Sequence, residues 1–159
     1  MNILSFDIED WFNTHQNRNQ HSGDIWDYFP SRVKLNTQII LSTLNELNCK
    51  ATFFILGWVA KKHPDVVKSI YDQGHEIGAH SYWHHNPNRL HATDFNKDLK
   101  LCLSVLSDIT GDKVLAYRAP AFSLRMKDQW AFEILADNGI EIDSSVKVRD
   151  SSQTLPYII

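Results

Sequence analysis

The sequence has few of the features that mark specialised chains, and each shortage excludes a class. Its 159 residues include only two cysteines, Cys49 and Cys102. They form no metal-binding spacing, and both read as small, buried or half-buried thiols in or at the end of helices. No apolar run approaches the roughly 20 residues of a membrane helix, so no membrane span is expected. Charge of one sign is also scarce: the net charge is -3 at pH 7. That excludes a general nucleic-acid or membrane-surface binder. The opening residues, Met1 to Asp7, hold no basic region and no long apolar core. They do not read as a secretory signal, and the expectation is a cytoplasmic protein. There is no repeat, low-complexity tract or linker. The chain is long enough for one domain with a real core, and residues 1–159 are read as one.

What is present is a strand–helix alternation. Asn2 to Phe6 reads as a first strand, and residues 8–30 as a long polar and aromatic loop. Ser31 is placed to cap a helix to about Leu47, with Val33, Leu35, Ile39, Ile40, Leu44 and Leu47 as its apolar stripe. Ala51 to Leu56 is apolar enough for a strand buried on both faces. Gly57 to Lys62 suits a short helical turn. Pro64 suits the start of the next helix and Gly74 its end. His75 to Ala79 is the third strand. Thr93 is placed to cap a helix from Asp94 to Ile109, closed by Gly111. Val114 to Tyr117, a helix from Asp128 to Asn138, and Ile140 to Ile142 complete the pattern. Five such alternations predict an α/β fold with parallel strands, in an open sheet or a barrel.

The chemistry clusters at predicted strand ends. His80 and His84, in His80-Ser81-Tyr82-Trp83-His84-His85, can face one way on a single helical turn and offer two neutral nitrogens to a divalent metal. The acidic run Asp7-Ile8-Glu9-Asp10 follows the first strand. Arg118 follows the fourth and Asp143 the fifth. Carboxyl ends of parallel strands share one rim, so these segments converge on one mouth. Two histidines and a carboxylate, with a position open to water, form the ligand set of a catalytic metal.

These residues resemble the polysaccharide deacetylase family, the NodB-homology domain of carbohydrate esterase family 4. Ser5-Phe6-Asp7-Ile8-Glu9-Asp10-Trp11 is similar to its first motif, His80-Ser81-Tyr82-Trp83-His84 to its second, and Tyr117-Arg118-Ala119-Pro120 to its third. The start is most similar to the branch found with exopolysaccharide and capsule genes. The resemblance implies a barrel-like parallel fold and the removal of N-acetyl groups from a polysaccharide or glycan precursor. It implies a divalent metal, zinc, held by His80, His84 and a third ligand. Glu9 is preferred for that third ligand by an Asp-x-Asp type spacing, with Asp10 the other candidate. Asp7 would be the base, Arg118 its partner, and the backbone N–H of Ala121 an oxyanion donor where the family often has an aromatic residue. Trp11, Trp83 and Phe122 could serve as platforms for sugar rings, with core or rim packing an equal reading. The family also has a late histidine as general acid. Here the last histidine is His91, so the chain is expected to be a C-terminally truncated form with weak acetate release at most. A catalytically incomplete metal- and glycan-binding domain, or a metal amidase acting on a small amide, are the alternatives.

Plainer roles apply to the other candidates. His85 reads as flanking, because consecutive side chains point apart. His75 reads as a satisfied structural histidine. His15, His21, His63 and His91 read as surface or structural residues, Trp58 and Trp130 as packing, and Asp143 with Ser144 and Ser145 as a turn cap.

Overall fold

A computed structural model describes residues 3–14 and 23–147. Asn2, His15 and His21 lie outside the described residues. The elements follow in the order β1 (Ser5–Ile8), α1 (Val33–Glu46), β2 (Thr52–Ile55), α2 (Gly57–Lys62), α3 (Pro64–Asp72), β3 (Glu76–Ala79), α4 (Ala92–Thr110), β4 (Ala116–Tyr117), α5 (Gln129–Asp137) and β5 (Ile142–Asp143). All four strand pairings are parallel, and the spatial order equals the chain order. A parallel sheet wound in one direction, with each crossover carrying helix, is an arc of a barrel wall rather than a doubly wound sheet.

The register sorts side chains by the two-residue period of a strand. Phe53, Ile55, Ala79 and Tyr117 face the helices and join Val67, Ile70, Leu99, Leu106 and Leu135 in the main core. Asp7, Phe54, Gly78 and Ala116 stand opposite one another on the other face. That face carries the chemistry. β1 starts at Ser5 and runs to Ile8, beyond the expected Phe6, because its pairing with β2 continues through the acidic motif. Asp7 is therefore within the strand and not after it. Asp143 likewise lies within β5, where Ile140 to Ile142 was expected to be the strand.

Several local expectations are corrected. The buried stripe of α1 is Val33, Thr37, Leu41 and Leu44; Leu35, Ile39 and Leu47 are exposed. Arg32 is the residue at the start of α1, and Ser31 contributes only a long 3.4 Å bond from the Val33 N–H. α4 is entered from His91, which leaves Thr93 inside its first turn. Cys49 is exposed, past the end of α1, whereas Cys102 is fully buried. Within the 8–30 loop, Trp11–Asn13 and Gly23–Tyr28 form short 3-10 turns. The aromatic rings of Phe12, Trp26 and Trp58 pack there in edge-to-face contacts. Trp130 packs on Phe95. His75 is satisfied structurally, its Nδ1 accepting from the Ala51 N–H at 3.3 Å.

The start of α2 sits directly on the turn after β3. The Gly57 and Trp58 N–H groups donate to the Ser81 and Tyr82 carbonyls at 2.9 and 3.1 Å. This contact needs glycine at position 57. A Cβ there would lie 2.5 Å from the Tyr82 ring and 3.1 and 3.2 Å from the Cα atoms of Tyr82 and Cys102. Backbone on two sides cannot yield cheaply. Gly57→Ala should destabilise the fold by about 1–3 kcal/mol, the usual cost of overpacking. Chemical denaturation checks it; an unchanged midpoint would contradict the close approach.

Candidate metal centre and active-site cleft

The alternation of β1 decides which acidic residues meet. Asp7 points to the inner face, Ile8 to the helices, and Glu9 back to the inner face. Asp10 turns away: it is buried, and its Oδ1 accepts from the Arg32 N–H at 2.9 Å. A cleft is lined by Asp7, Glu9, Thr14, His80, His84, Ala121 and Phe122. Glu9, His80 and His84 bring one ligand atom each within 4.8 Å of one another. His84 Nε2 lies 2.6 Å from Glu9 Oε2, and His80 Nε2 lies 3.9 Å from both Glu9 Oε2 and Asp7 Oδ2.

Each histidine is aimed by a different device. The His80 N–H donates to the Ile55 carbonyl at 3.1 Å, continuing the β2–β3 ladder. His80 Nδ1 lies 2.7 Å from the Arg118 carbonyl. A carbonyl only accepts, so Nδ1 carries the proton and Nε2 presents its lone pair to the cleft. The turn to His84 is not the helical one that the four-residue spacing suggested. Ser81 and His84 both adopt left-handed backbone, at φ 66° and 57°. Such non-glycine conformations persist only where the surroundings enforce them, and they gather at functional sites. His85 is exposed and outside the cluster.

Arg118 anchors the other half of the cleft. It is buried, its guanidinium 4.0 Å above the Phe54 ring. Nη1 donates to Asp7 Oδ1 at 2.7 Å; Nη2 donates to Ser5 Oγ and Ser144 Oγ, both at 2.8 Å. One oxygen of Asp7 is thus committed to the arginine, while Oδ2 faces His80. Residues 143–145 brace this strand end. The Ser145 Oγ accepts from the Ala119 N–H at 2.7 Å, and Asp143 caps the Ser145 N–H at 3.0 Å. Beyond lie Ala121 and Phe122, again in left-handed backbone at φ 56° and 50°.

The structure thus brings together Asp7, Glu9, His80, His84, Arg118, Ala121 and Phe122. Two of the three aromatic residues stand apart. Trp11 is half exposed and packs edge-on against Phe12 and Phe29, and Trp83 is wedged against Tyr82 and Trp26. Thr14 lines the cleft with no sequence signal to mark it. The set of two imidazoles and a carboxylate, with His80 in a fixed tautomer, fits a divalent cation with an open coordination position.

The profile of the polysaccharide deacetylase family matches residues 19–142. The chain belongs to the polysaccharide deacetylase family. It is 35% identical over 98 residues to a peptidoglycan-N-acetylglucosamine deacetylase of Bacillus cereus, covering 61% of this chain and 36% of that one. It is 29% identical over 125 residues to a peptidoglycan deacetylase of Helicobacter pylori, covering 76% of this chain and 39% of that one. Among solved structures, it resembles a mutant of BA3943, a carbohydrate esterase family 4 pseudoenzyme of Bacillus anthracis with restored enzymatic activity. That likeness has a TM-score of 0.67 at 26% identity and covers 89% of this chain and 43% of the other. The chain therefore spans about two fifths of the length of these relatives.

Burial holds the His80 pKa below its ordinary 6.5, against the opposing pull of the Asp7 and Glu9 carboxylates. The fold thus favours neutral His80. The associated stability is present above the unfolded-state value and is lost as pH falls through the lower folded-state value. In the metal-free protein, nitrogen NMR should show His80 neutral and Nδ1-protonated at pH 6.5. An imidazolium at that pH would contradict this environment.

Proposed function

We propose that this chain carries the catalytic half-site of a metal-dependent hydrolase that removes acetyl groups from an N-acetylated glycan. The observation that carries the reading is the meeting, in one cleft, of a Glu9–His80–His84 ligand set with an Arg118-held Asp7. The named activities of the Bacillus cereus and Helicobacter pylori relatives support an N-acetylated glycan such as peptidoglycan as the substrate class. Zinc suits two imidazoles and one carboxylate; when bound it acts as a Lewis acid toward the acetamide carbonyl and the attacking water.

The protein's own groups do the rest. Arg118 holds Asp7 Oδ1, leaving Oδ2 to take a proton from the water. The water oxygen bonds to the carbonyl carbon, and the backbone N–H of Ala121 donates to the oxyanion that forms. Collapse breaks the carbon–nitrogen bond, and the leaving amine takes a proton. With His80 and His84 engaged as ligands, Asp7 is the cleft group that can return the one it took. Phe122 lines the cleft as an apolar contact for the sugar.

Two substitutions test the assignments. Asp7→Asn should lower acetate release from N-acetylated oligosaccharides by at least about 10²–10⁴-fold, the worth of a general acid–base group, with metal content unchanged. An Asp7→Asn protein as active as the unaltered one would remove the base. Glu9→Ala should weaken zinc binding by more than the roughly 10–100-fold typical of a supporting residue, and Asp10→Ala by less. The reverse order would move the third ligand to Asp10.

A further inference from the structure

Asp98 lies on α4, behind the histidine turn and away from the cleft. Its neighbours on the buried side of α4, Phe95, Leu99, Cys102 and Leu106, are apolar or a thiol. Asp98 is itself only 8% exposed. A buried carboxylate in an apolar stripe is costly unless hydrogen bonds satisfy it. Packing alone does not account for its presence.

Its partners do. Oδ2 accepts from Ser81 Oγ and from the Tyr82 N–H, both at 2.8 Å, and Oδ1 accepts from the Trp83 N–H at 3.1 Å. Ser81 Oγ in turn accepts from the His85 N–H at 3.2 Å. The residues on both sides of His84 are therefore tied, directly or through Ser81, to one carboxylate. The opposite polarity of the same turn is met by α2, whose first N–H groups take the Ser81 and Tyr82 carbonyls. Two of the turn's N–H groups thus go to Asp98 and two of its carbonyls to α2, in a turn that holds two left-handed non-glycine residues.

The two histidines differ in what holds them. His80 has its own ladder bond and its Nδ1 contact with the Arg118 carbonyl. His84 follows the strained part of the turn. We propose that Asp98 is a positioning residue that fixes the direction of His84, and that through it α4 sets the metal affinity of the centre. The inference rests on the metal site proposed above.

Zinc titration of the full chain, with the cobalt(II) absorption spectrum as a second readout, tests it. Asp98→Asn keeps the shape of the side chain but replaces an accepting oxygen by a donor. It should weaken zinc binding about 10–100-fold, the range for groups that orient metal ligands, and change the cobalt spectrum. In a His84→Ala background the same substitution should have little further effect, because its route is already cut. Ser81→Ala, which removes a single arm, should weaken binding in the same direction by less; it serves if Asp98→Asn does not fold. Unaltered zinc affinity in a folded Asp98→Asn protein, or in Ser81→Ala where Asp98→Asn is unfolded, would overturn the proposal. So would an equal loss with and without His84. Absence of zinc binding by the unaltered chain would instead sink the metal site, and this inference with it.

Discussion

The arrangement depends on the Arg118 guanidinium, held among residues of β1, β2 and the segment after β5. It meets Asp7 of β1, Ser5 of the same strand, and Ser144 just beyond β5, with its central carbon 4.0 Å from the centre of the Phe54 ring of β2. A planar cation with five donors can satisfy all of these at once and still stack on a ring; an ammonium cannot. The same residue's carbonyl sets the tautomer of His80. One residue thus aims both the proposed base and one proposed ligand. A buried arginine is tolerable only because it is paired and hydrogen-bonded on every side. Gly78 keeps this platform in place. A Cβ at that position would lie 2.5 Å from the Phe54 ring on which Arg118 rests.

The second constraint is the two-residue period of a parallel strand. Asp7 and Glu9 share a face because one residue separates them, and Ile8 between them belongs to the helix-facing core. His80 and Arg118 come one residue after core-facing Ala79 and Tyr117, which returns them to the inner face. Register alone therefore brings residues far apart in the chain within a few ångströms. The strained backbone at Ser81, His84, Ala121 and Phe122 lies where these strands give way to turns. The extended core supplies the rigidity that holds such turns.

This logic explains what could be read from the sequence. The strand-end positions of His80, His84 and Arg118 follow from apolar runs punctuated by polar residues, and the structure gathers them as expected. Spacing favours Glu9 over Asp10, and strand alternation gives the physical reason that Glu9 faces the cleft. Other features depend on contacts that no local pattern encodes. Asp98 sits in a helix whose periodicity marks only an amphipathic face, and its partners are backbone N–H groups some fifteen residues away. The buried stripe of α1 keeps Val33 and Leu44 but runs through Thr37, a polar residue, and leaves Leu35, Ile39 and Leu47 exposed, so an apolar pattern marks only part of that face. Thr14 and Trp26 lie in a loop without periodicity, and no local pattern shows that the Trp83 ring packs against Trp26.

The chain belongs to the polysaccharide deacetylase family, and its cleft brings ligand atoms of Glu9, His80 and His84 within 4.8 Å of one another. Glu9, His80 and His84 are proposed to hold one metal beside the arginine-held Asp7. X-ray absorption at the zinc edge of the zinc-loaded protein tests this most directly. The account predicts two imidazole nitrogens with the remaining ligands oxygen, and no sulfur. A third imidazole, which would bring in His85, or a sulfur ligand from Cys49 or Cys102, would contradict it.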